Sequence, residues 1–265
     1  MKVSEFAHNY KRYFNQNTFN FIMKAVYDID NYYLSENKEI DETKITDILD
    51  RFLNGEPIEY LINKAYFFHR YFYVNNNCLL PEDETEELVL EVIKNVKNQN
   101  LIGVDIGTGS GCIAITLKKE INANIMASDI SKDALEVFEI NKKDLDIPYF
   151  LGDALKPLID NNIKVDYIVS NPPYIDYNDK DISESVKKYY PSIALFAKNN
   201  GLEIYERILK DALKVLNKKG MIFFEIGYKQ ASLIKDLANK YLKDFDLTVK
   251  KDINNHDRIV VIKLR

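Results

Sequence analysis

Short apolar runs alternate with amphipathic segments from about residue 84 to the end of the chain. The segments between the runs carry apolar residues at three- and four-residue intervals, which is the pattern of helices packed on a core. The runs with the length of buried strands are 101–106, 125–128, 149–151, 165–170 and 221–226, and two neighbouring, antiparallel strands are expected at 246–251 and 258–264. Repeated strand–helix–strand units predict an α/β fold with an open, mostly parallel sheet covered by helices on both faces.

The first 64 residues have a different pattern, which is helical throughout. Apolar and aromatic side chains recur at helical spacing, and Pro57 suits the first turn of the last helix. Residues 66–74 are aromatic and β-branched with His69-Arg70 in the middle, so we expect a β-hairpin that turns there. The sequence therefore predicts a small N-terminal helical domain at 1–64, a hairpin linker at 65–83 and the sheet domain at 84–265.

Composition and charge narrow the classes of function. The 265 residues include 36 Lys and Arg against 41 Asp and Glu, a net charge of −5. Proteins that bind nucleic acid through its phosphates usually carry a positive excess, so a stable nucleic-acid partner is not expected. The sequence has no apolar run near the ~18 residues of a membrane span, no secretory signal, and two cysteines without metal-ligand spacing. These features predict a cytoplasmic protein without membrane or metal.

A glycine-rich stretch follows the first strand of the sheet domain and precedes a helix. It runs Val-Asp-Ile-Gly-Thr-Gly-Ser-Gly over residues 104–111. The dinucleotide-binding pattern G-x-G-x-x-G would need a glycine at position 112, where Cys112 stands. Glycines at such a turn allow a ligand to lie against the backbone, because no Cβ is in the way. The residues expected at this cofactor loop are Asp105, Gly107, Thr108, Gly109, Ser110 and Gly111.

Acidic residues end three successive strands and indicate the chemistry of the cofactor. Asp105 directly before the glycines suits a cationic ligand better than a pyrophosphate. Asp129 ends the second strand, where an acid typically accepts hydrogen bonds from ribose hydroxyls. Asp153 follows the third strand, where it is expected to reach an adenine amino group. Ribose, adenine and a positive centre together describe S-adenosyl-L-methionine, a sulfonium ion.

The fourth strand runs into Asn171-Pro172-Pro173-Tyr174, a segment that suits a planar amide or amine. The two prolines stiffen the backbone and contribute no N–H donors. The Asn171 side-chain oxygen and the Pro172 carbonyl form a pair of acceptors for an NH₂ group, and Tyr174 offers a ring face. We expect Asn171, Pro172 and Tyr174 to be catalytic, with Pro173 completing the substrate site. Two acceptors on the amide hydrogens would hold the nitrogen in line with the methyl group.

These motifs together resemble the HemK/PrmC family, the protein-(glutamine-N5) methyltransferases that modify class I peptide chain release factors. The resemblance covers about residues 54–262. It rests on residues 55–61 (Gly-Glu-Pro-Ile-Glu-Tyr-Leu), 79–81, 85–86, 105–111, 127–131, 169–175, 201–202, 225–227 and 257–258. The Asn-Pro-Pro-Tyr segment alone is shared with amino-methylating DNA enzymes. Its combination with residues 55–61 is much more specific.

The resemblance implies a Rossmann-like S-adenosylmethionine-dependent methyltransferase sheet and a helical domain that helps to hold the release factor. The implied reaction is methyl transfer to the side-chain nitrogen N5 of the glutamine in the factor's Gly-Gly-Gln loop. The residues at 107–111 and Asp129 match cofactor positions of the family. Ala154 stands where the family lines the adenine pocket, and Asn171 matches the substrate-amide position, next to the cofactor.

Two residues depart from the family pattern. Glu82 stands where the family usually has arginine after Leu-Leu-Pro, and Tyr190 stands where it usually has glutamate before Pro191. Neither position lies in the Asn-Pro-Pro-Tyr segment. The departures therefore concern contacts with the peptide or the cofactor rather than the chemistry.

Other functions remain open at this point, although a monomeric release factor methyltransferase is expected. A sister family with the same architecture methylates a glutamine of a ribosomal protein. A DNA methyltransferase would use the same Asn-Pro-Pro-Tyr on a flipped base, but it would need a basic recognition region that the acidic residues 1–64 do not offer. A nucleoside-binding module without enzymatic activity would not need residues 171–174.

Overall fold

The computed structural model describes residues 1–97 and 100–265, and the chain divides into two compact units. One unit comprises residues 1–65 and the other residues 66–265. Each unit buries hydrophobic clusters drawn from its own residues. Within the described residues, no helix combines the length and the apolar character that crossing a membrane requires.

The first unit is helical, as the spacing of its apolar residues predicts. Its elements are α1 (Val3–Tyr10), a 3₁₀ turn (Lys11–Tyr13), α2 (Gln16–Tyr27), α3 (Thr43–Leu53) and α4 (Ile58–Ile62). The Asn15 side chain caps α2 by accepting a hydrogen bond from the Thr18 backbone N–H. Phe6 and Phe19 are fully buried, and their rings lie 6.1 Å apart between centroids. Interlocking aromatic side chains therefore form the core of this unit.

A two-stranded hairpin follows the helices in sequence. It pairs β1 (Ala65–Phe67) with β2 (Arg70–Phe72), and the turn residues Phe68 and His69 both have positive φ angles. Two positive φ angles are the signature of the type I′ turn, whose twist matches that of the strands. The turn thus lies one residue earlier than the sequence predicted, because neither Phe nor His is a usual signal for left-handed backbone.

The second unit is built around a seven-stranded sheet. Its strands are β3 (Ile102–Ile106), β4 (Asn124–Asp129), β5 (Tyr149–Leu151), β6 (Val165–Ser170), β9 (Leu216–Glu225), β10 (Phe245–Lys251) and β11 (Asp257–Leu264). They are arranged in the order β10-β11-β9-β6-β3-β4-β5, in which β5, β4, β3, β6 and β9 are parallel and β11 and β10 are antiparallel additions at one edge. This is the open, mostly parallel α/β sheet that the alternating pattern predicts, including the antiparallel final pair, and it has the Rossmann-like fold that the resemblance implies.

Helices cover both faces of the sheet. On one face α5 (Asp83–Asn95), α6 (Cys112–Ile121) and α7 (Lys132–Lys142) pack on a buried apolar cluster, and on the other α8 (Lys156–Asp160), α12 (Glu203–Val215) and α13 (Ala231–Tyr241) pack on a second cluster. The two clusters receive alternate residues of the same strand, such as Val169 and Ile168 of β6, because successive side chains point to opposite faces.

Between β6 and α12 lie short elements that the sequence did not indicate. They are β7 (Ile175–Asp176), α9 (Glu184–Tyr189), α10 (Ser192–Leu195), β8 (Phe196–Ala197) and a helical turn, α11 (Lys198–Gly201). Strands β7 and β8 pair in parallel, and the rings of Tyr177 and Phe196 stack with centroids 5.4 Å apart. Strands β7 and β8 form a two-stranded sheet that is separate from the seven-stranded sheet.

The strand order of the seven-stranded sheet changes direction at β3. β3 is paired with β4 on one side and with β6 on the other, so successive strands are added in opposite directions from it. Such a switch point leaves a crevice at the carboxyl ends of the strands, where α/β proteins bind their ligands.

Candidate active site

A cavity of about 560 Å³ lies at the carboxyl ends of the parallel strands in the second unit. This volume is within the range of small-molecule sites. Its walls include the glycine loop after β3, the ends of β4 and β5, and the segment after β6. The sequence-predicted residues that line it are Gly107, Thr108, Gly109, Ser110, Asp129, Asp153, Ala154, Asn171, Pro172 and Pro173. The fold thus gathers residues from four strand ends into one crevice.

The glycine loop has a backbone that favours glycine at each of its three glycine positions. Gly107, Gly109 and Gly111 all have positive φ angles, which side chains disfavour. The backbone N–H groups of Gly107 and Thr108 donate to the Ser128 carbonyl, at 2.8 and 3.1 Å, and so fix the loop to β4. A Cβ added at Gly107 would meet no described atom within 4 Å. At Gly107 and Gly109 the loop therefore presents bare backbone to the cavity, as a cradle for a ligand does. Gly111 does not line the cavity and lies against Phe138, so its contact with the cofactor stays a prediction.

Asp105 lies beneath the glycine loop and is not among the residues that line the cavity. It is fully buried, and its Oδ2 accepts hydrogen bonds from the Thr108 hydroxyl at 2.7 Å and from the Ala114 backbone N–H at 3.3 Å. Burial raises the pKa of Asp105 to about 7. The observed contacts give Asp105 a part in shaping the loop, while its approach to a cationic ligand stays a prediction.

Asp129 at the end of β4 lines the cavity and also holds the backbone of two neighbouring loops. Its Oδ2 accepts from the Gly109 N–H and its Oδ1 from the Ser131 N–H, each at 2.9 Å. Burial raises the pKa of Asp129, and these backbone hydrogen bonds oppose that shift. A carboxylate oxygen can accept more than one hydrogen bond, so both oxygens keep capacity for hydroxyl groups of a ligand.

Asp153 and Ala154 follow β5 at the next strand end. The Asp153 carboxylate pairs with Arg207 of α12, whose Nη1 lies 3.0 and 2.9 Å from its two oxygens, and Arg207 also bonds Glu203. Sequence reasoning did not find Arg207, which lies 54 positions away from Asp153 in the chain. Ala154 has a positive φ of 47°, which turns the chain at the cavity wall. The ion pair fixes where the Asp153 oxygens lie, and their contact with adenine stays a prediction.

Asn171 is the polar side chain that β6 delivers to the cavity. Its Nδ2 donates to the Thr85 hydroxyl at 3.0 Å. Its Oδ1 is buried and has no hydrogen-bond partner among residues 1–97 and 100–265. A buried acceptor without a partner is costly in a folded protein and often marks a site where a ligand supplies the donor. The unpaired lone pairs of Asn171 Oδ1 therefore suit the NH₂ group of an amide.

Tyr174 occupies a different place from the one the sequence suggested. It is not among the cavity-lining residues, and its ring packs against the apolar cluster beside α12 and α13. Its backbone carbonyl accepts a hydrogen bond from Gln230 Nε2 at 3.0 Å. Burial raises the pKa of Tyr174. These contacts anchor the Asn-Pro-Pro-Tyr segment, and the expected ring contact with substrate stays a prediction.

Two further polar residues, Thr85 and Glu225, lie next to Asn171, and the sequence analysis did not select them as site residues. Thr85 lines the cavity and is buried in the first turn of α5, and its hydroxyl donates to Glu225 Oε2 at 2.7 Å. Glu225 is fully buried at the end of β9. The signal in the sequence was the single carboxylate at the end of the apolar run Met221–Glu225, because a glutamate is rarely buried without a partner.

No cluster of three or more potential metal ligands occurs within the described parts of the chain.

Comparisons with known proteins give a consistent result. The family described as Methyltransferase small domain matches residues 81–188. The chain is 45% identical to a release factor glutamine methyltransferase of Staphylococcus aureus over 219 residues, which are 81% of this chain and 78% of that protein. It is 40% identical to the Bacillus subtilis protein of the same name over 215 residues, 78% of this chain and 75% of that one.

The fold also recurs among solved structures. A methyltransferase from Pyrococcus furiosus, 18% identical, matches with a TM-score of 0.56 over 82% of this chain and 98% of that chain. At this level of identity the match concerns the fold alone. The more similar sequences named above are the ones that bear on activity.

Proposed function

This chain belongs to the release factor glutamine methyltransferase family, and from that we infer that it methylates the side-chain amide nitrogen N5 of a glutamine in a peptide chain release factor. It is an enzyme of the transferase class, and it uses S-adenosyl-L-methionine as the methyl donor. The single observation in the structure that carries this function is the buried, unpartnered Oδ1 of Asn171 beside the cavity.

The cavity fits this cofactor. The bare backbone at Gly107 leaves room for a ligand against the loop, and Asp129 has two oxygens with remaining acceptor capacity. Asp153 and Ala154 line the same cavity where the adenine is expected. When bound, S-adenosylmethionine supplies a methyl group made electrophilic by the sulfonium charge. We propose that the loop residues Thr108 and Ser110 complete the cofactor site.

The chain's own contribution to transfer is to hold a weak nucleophile. The lone pair of an amide nitrogen is delocalised into its carbonyl, so the nitrogen attacks poorly in water. Asn171 Oδ1 and the Pro172 carbonyl are proposed to accept the two amide hydrogens and to fix the nitrogen in line with the methyl group. Placement of this kind contributes several kcal/mol. The acceptors also favour the positive charge that develops on the NH₂ group in the transition state, and the methylated nitrogen then releases one proton to solvent.

The finer features of the function are part of the same proposal. The glutamine is taken to be that of the Gly-Gly-Gln loop of class I release factors, and the helical unit at residues 1–65 is taken to help hold the factor. We propose that the enzyme works as a monomer, since residues of one chain supply every wall of the cavity described here. We also propose that the enzyme acts in the cytoplasm, together with its release factor substrate, and that it has no stable nucleic-acid or membrane partner, in keeping with its net charge of −5.

The direct test is methylation of a purified release factor with isotope-labelled cofactor, followed by mass spectrometry of its peptides. One added methyl group on the glutamine of the Gly-Gly-Gln loop is expected. A release factor with that glutamine replaced by alanine is the control and should acquire no label. Label on a ribosomal protein or on DNA, with an unmodified release factor, would contradict the proposal.

A further inference from the structure

Three side chains from distant parts of the sequence form a continuous hydrogen-bonded chain that runs inward from the cavity wall. Asn171 Nδ2 donates to Thr85 Oγ1 at 3.0 Å, and Thr85 Oγ1 donates to Glu225 Oε2 at 2.7 Å. The three residues lie after β6, in the first turn of α5 and at the end of β9. Only the folded sheet brings them together.

The hydrogen bonds of the structure give this chain a direction. Glu225 Oε2 accepts from the Thr85 hydroxyl, as the ionised carboxylate does and as the neutral acid does when its proton is on Oε1. In this arrangement the single hydroxyl hydrogen of Thr85 points to Glu225, and Thr85 Oγ1 has only lone pairs left for Asn171. Those lone pairs require the NH₂ end of the Asn171 amide. The carbonyl oxygen of the Asn171 amide, Oδ1, therefore points away from Thr85.

With the Thr85 hydrogen directed to Glu225, a flipped Asn171 amide would be destabilised twice. Its carbonyl oxygen would face the lone pairs of Thr85 Oγ1, and its NH₂ group would point where the NH₂ group of a substrate amide is expected. Thr85 is 2% exposed and Glu225 is fully buried, so little water is at hand to replace the lost hydrogen bonds. The backbone of Glu225 is held as well, because its carbonyl accepts from the Tyr205 hydroxyl at 2.6 Å.

We propose that Thr85 and Glu225 are positioning residues that hold the Asn171 amide with its oxygen toward the substrate. This proposal deepens the proposed function and rests on it, since the amide of the substrate glutamine is what the Asn171 oxygen receives. Thr85 lines the cavity and Glu225 does not. In this scheme both residues act through Asn171, and neither makes a hydrogen bond to the substrate or the cofactor.

The test compares Thr85→Val, which has the same shape without the hydroxyl, with Thr85→Ser, which keeps it. Thr116→Val is the matched control, because Thr116 is a fully buried threonine of α6 that does not line the cavity. We expect Thr85→Val to lower kcat for release factor methylation about 10²-fold. The KM for release factor and the affinity for S-adenosylhomocysteine should stay within about threefold. Thr85→Ser and Thr116→Val should stay within about threefold in all three quantities.

A second measurement does not depend on methyl transfer. Hydrogen exchange of the Asn171 side-chain NH₂, identified by its absence from the spectrum of Asn171→Ala, should be slow in the wild type and in Thr85→Ser and fast in Thr85→Val. Equal kcat in Thr85→Val and wild type overturns the proposal, and so does an equal loss in Thr85→Ser. If the wild type does not methylate release factor, the proposed function fails, and unchanged exchange in Thr85→Val then overturns the positioning role separately.

Discussion

The Asp129 carboxylate accepts a hydrogen bond from the Gly109 backbone N–H at 2.9 Å, so the acid that ends β4 also holds the middle glycine of the loop after β3. Its second oxygen accepts from the Ser131 N–H, just before α7. One side chain thus fixes two neighbouring strand ends and lines the cavity between them. Cofactor binding and loop shape are expected to respond together when Asp129 is changed.

Asp129→Ala is expected to weaken the binding of S-adenosylhomocysteine roughly 10- to 150-fold. Loss of a buried charged acceptor that leaves donors unpaired costs about 1.5–3 kcal/mol. Calorimetric titration measures this directly. The control is Asp133→Ala, which removes an exposed acid of α7 outside the cavity. An unchanged affinity in Asp129→Ala would remove Asp129 from the cofactor site.

Gly107→Ala tests whether the cofactor lies against the backbone of the glycine loop, because the added Cβ would not clash with the described residues of the protein itself. The added Cβ meets no described atom within 4 Å, so the fold pays only for placing alanine at a φ of +72°. That cost is about 1–2 kcal/mol, and a moderate fall in Tm is expected. The Cβ would occupy space beside the cavity, and affinity for S-adenosylhomocysteine should fall at least about tenfold. Wild-type affinity in this variant would show that the cofactor does not lie against Gly107.

The sheet and the loop were predictable because their signals are local. An apolar run of strand length, an acid at its end and glycines at a turn are all readable in a few adjacent residues, as at 102–111. The elements between β7 and α11 were not predicted, since strands of two residues and helices of four leave no periodicity to detect.

The sequence analysis did not identify Thr85 and Glu225 as positioning residues, because their proposed role depends on contacts between residues far apart in the chain. Thr85 in the first turn of α5 has the sequence character of a cap, and nothing near it in the chain indicates that Glu225 will take its hydroxyl hydrogen. The Arg207–Asp153 pair is hidden in the same way. Tyr174 packs against the core, which its place next to a substrate motif did not indicate, and the ring contact with substrate stays a prediction.

The buried acids predict how stability depends on pH. Burial raises the pKa of Glu225 from 4.5 to about 8. The folded chain therefore holds a proton that the unfolded chain has released once the pH exceeds about 5. The stability that this proton contributes is fully present below pH 4.5 and is lost as the pH rises to about 8, at about 1.4 kcal/mol per pH unit.

Glu225→Gln tests this dependence, because glutamine keeps an acceptor oxygen and cannot ionise. Urea unfolding from pH 5.5 to 7.5 should show the free energy of unfolding of the wild type falling relative to that of the variant by about 1.4 kcal/mol for each pH unit. Asp105, whose pKa burial raises to about 7, contributes in the same direction in both proteins and cancels in the difference. Parallel curves for the two proteins would mean that Glu225 is ionised in the fold throughout.

Deletion of residues 1–64 tests the role proposed for the helical unit. The apolar clusters that cover the sheet contain no residue before Phe67, and the cavity residues begin at Asn77. Affinity for S-adenosylhomocysteine should therefore stay within a few-fold, while the KM for release factor rises. A short peptide with the Gly-Gly-Gln sequence serves as the control and should react equally with both proteins. A truncated protein that methylates release factor with an unchanged KM would rule out a docking role.

Asn171→Ala should keep the fold and the cofactor but nearly abolish methyl transfer. Asn171 supplies a side-chain acceptor beside the cavity, and its Oδ1 has no partner among the described residues, so its loss exposes no unmet hydrogen bond on that side. The acceptor should matter most in the transition state, when positive charge develops on the amide NH₂. By analogy with other preorganised hydrogen-bonding groups, the rate should fall on the order of 10²- to 10³-fold.

Asn171→Asp is the sharper variant of this last experiment. It keeps the size and an acceptor oxygen, but it replaces the NH₂ group that donates to Thr85 with a second acceptor and adds a negative charge near the sulfonium. The charge should stabilise the bound cofactor more than the transition state, in which the positive charge is dispersing, so the rate should fall here too. Both variants should bind S-adenosylhomocysteine within a few-fold of the wild type, because the glycine loop and Asp129 are untouched. Single-turnover methylation of release factor decides the matter: a wild-type rate in Asn171→Ala would mean that other groups hold the substrate amide.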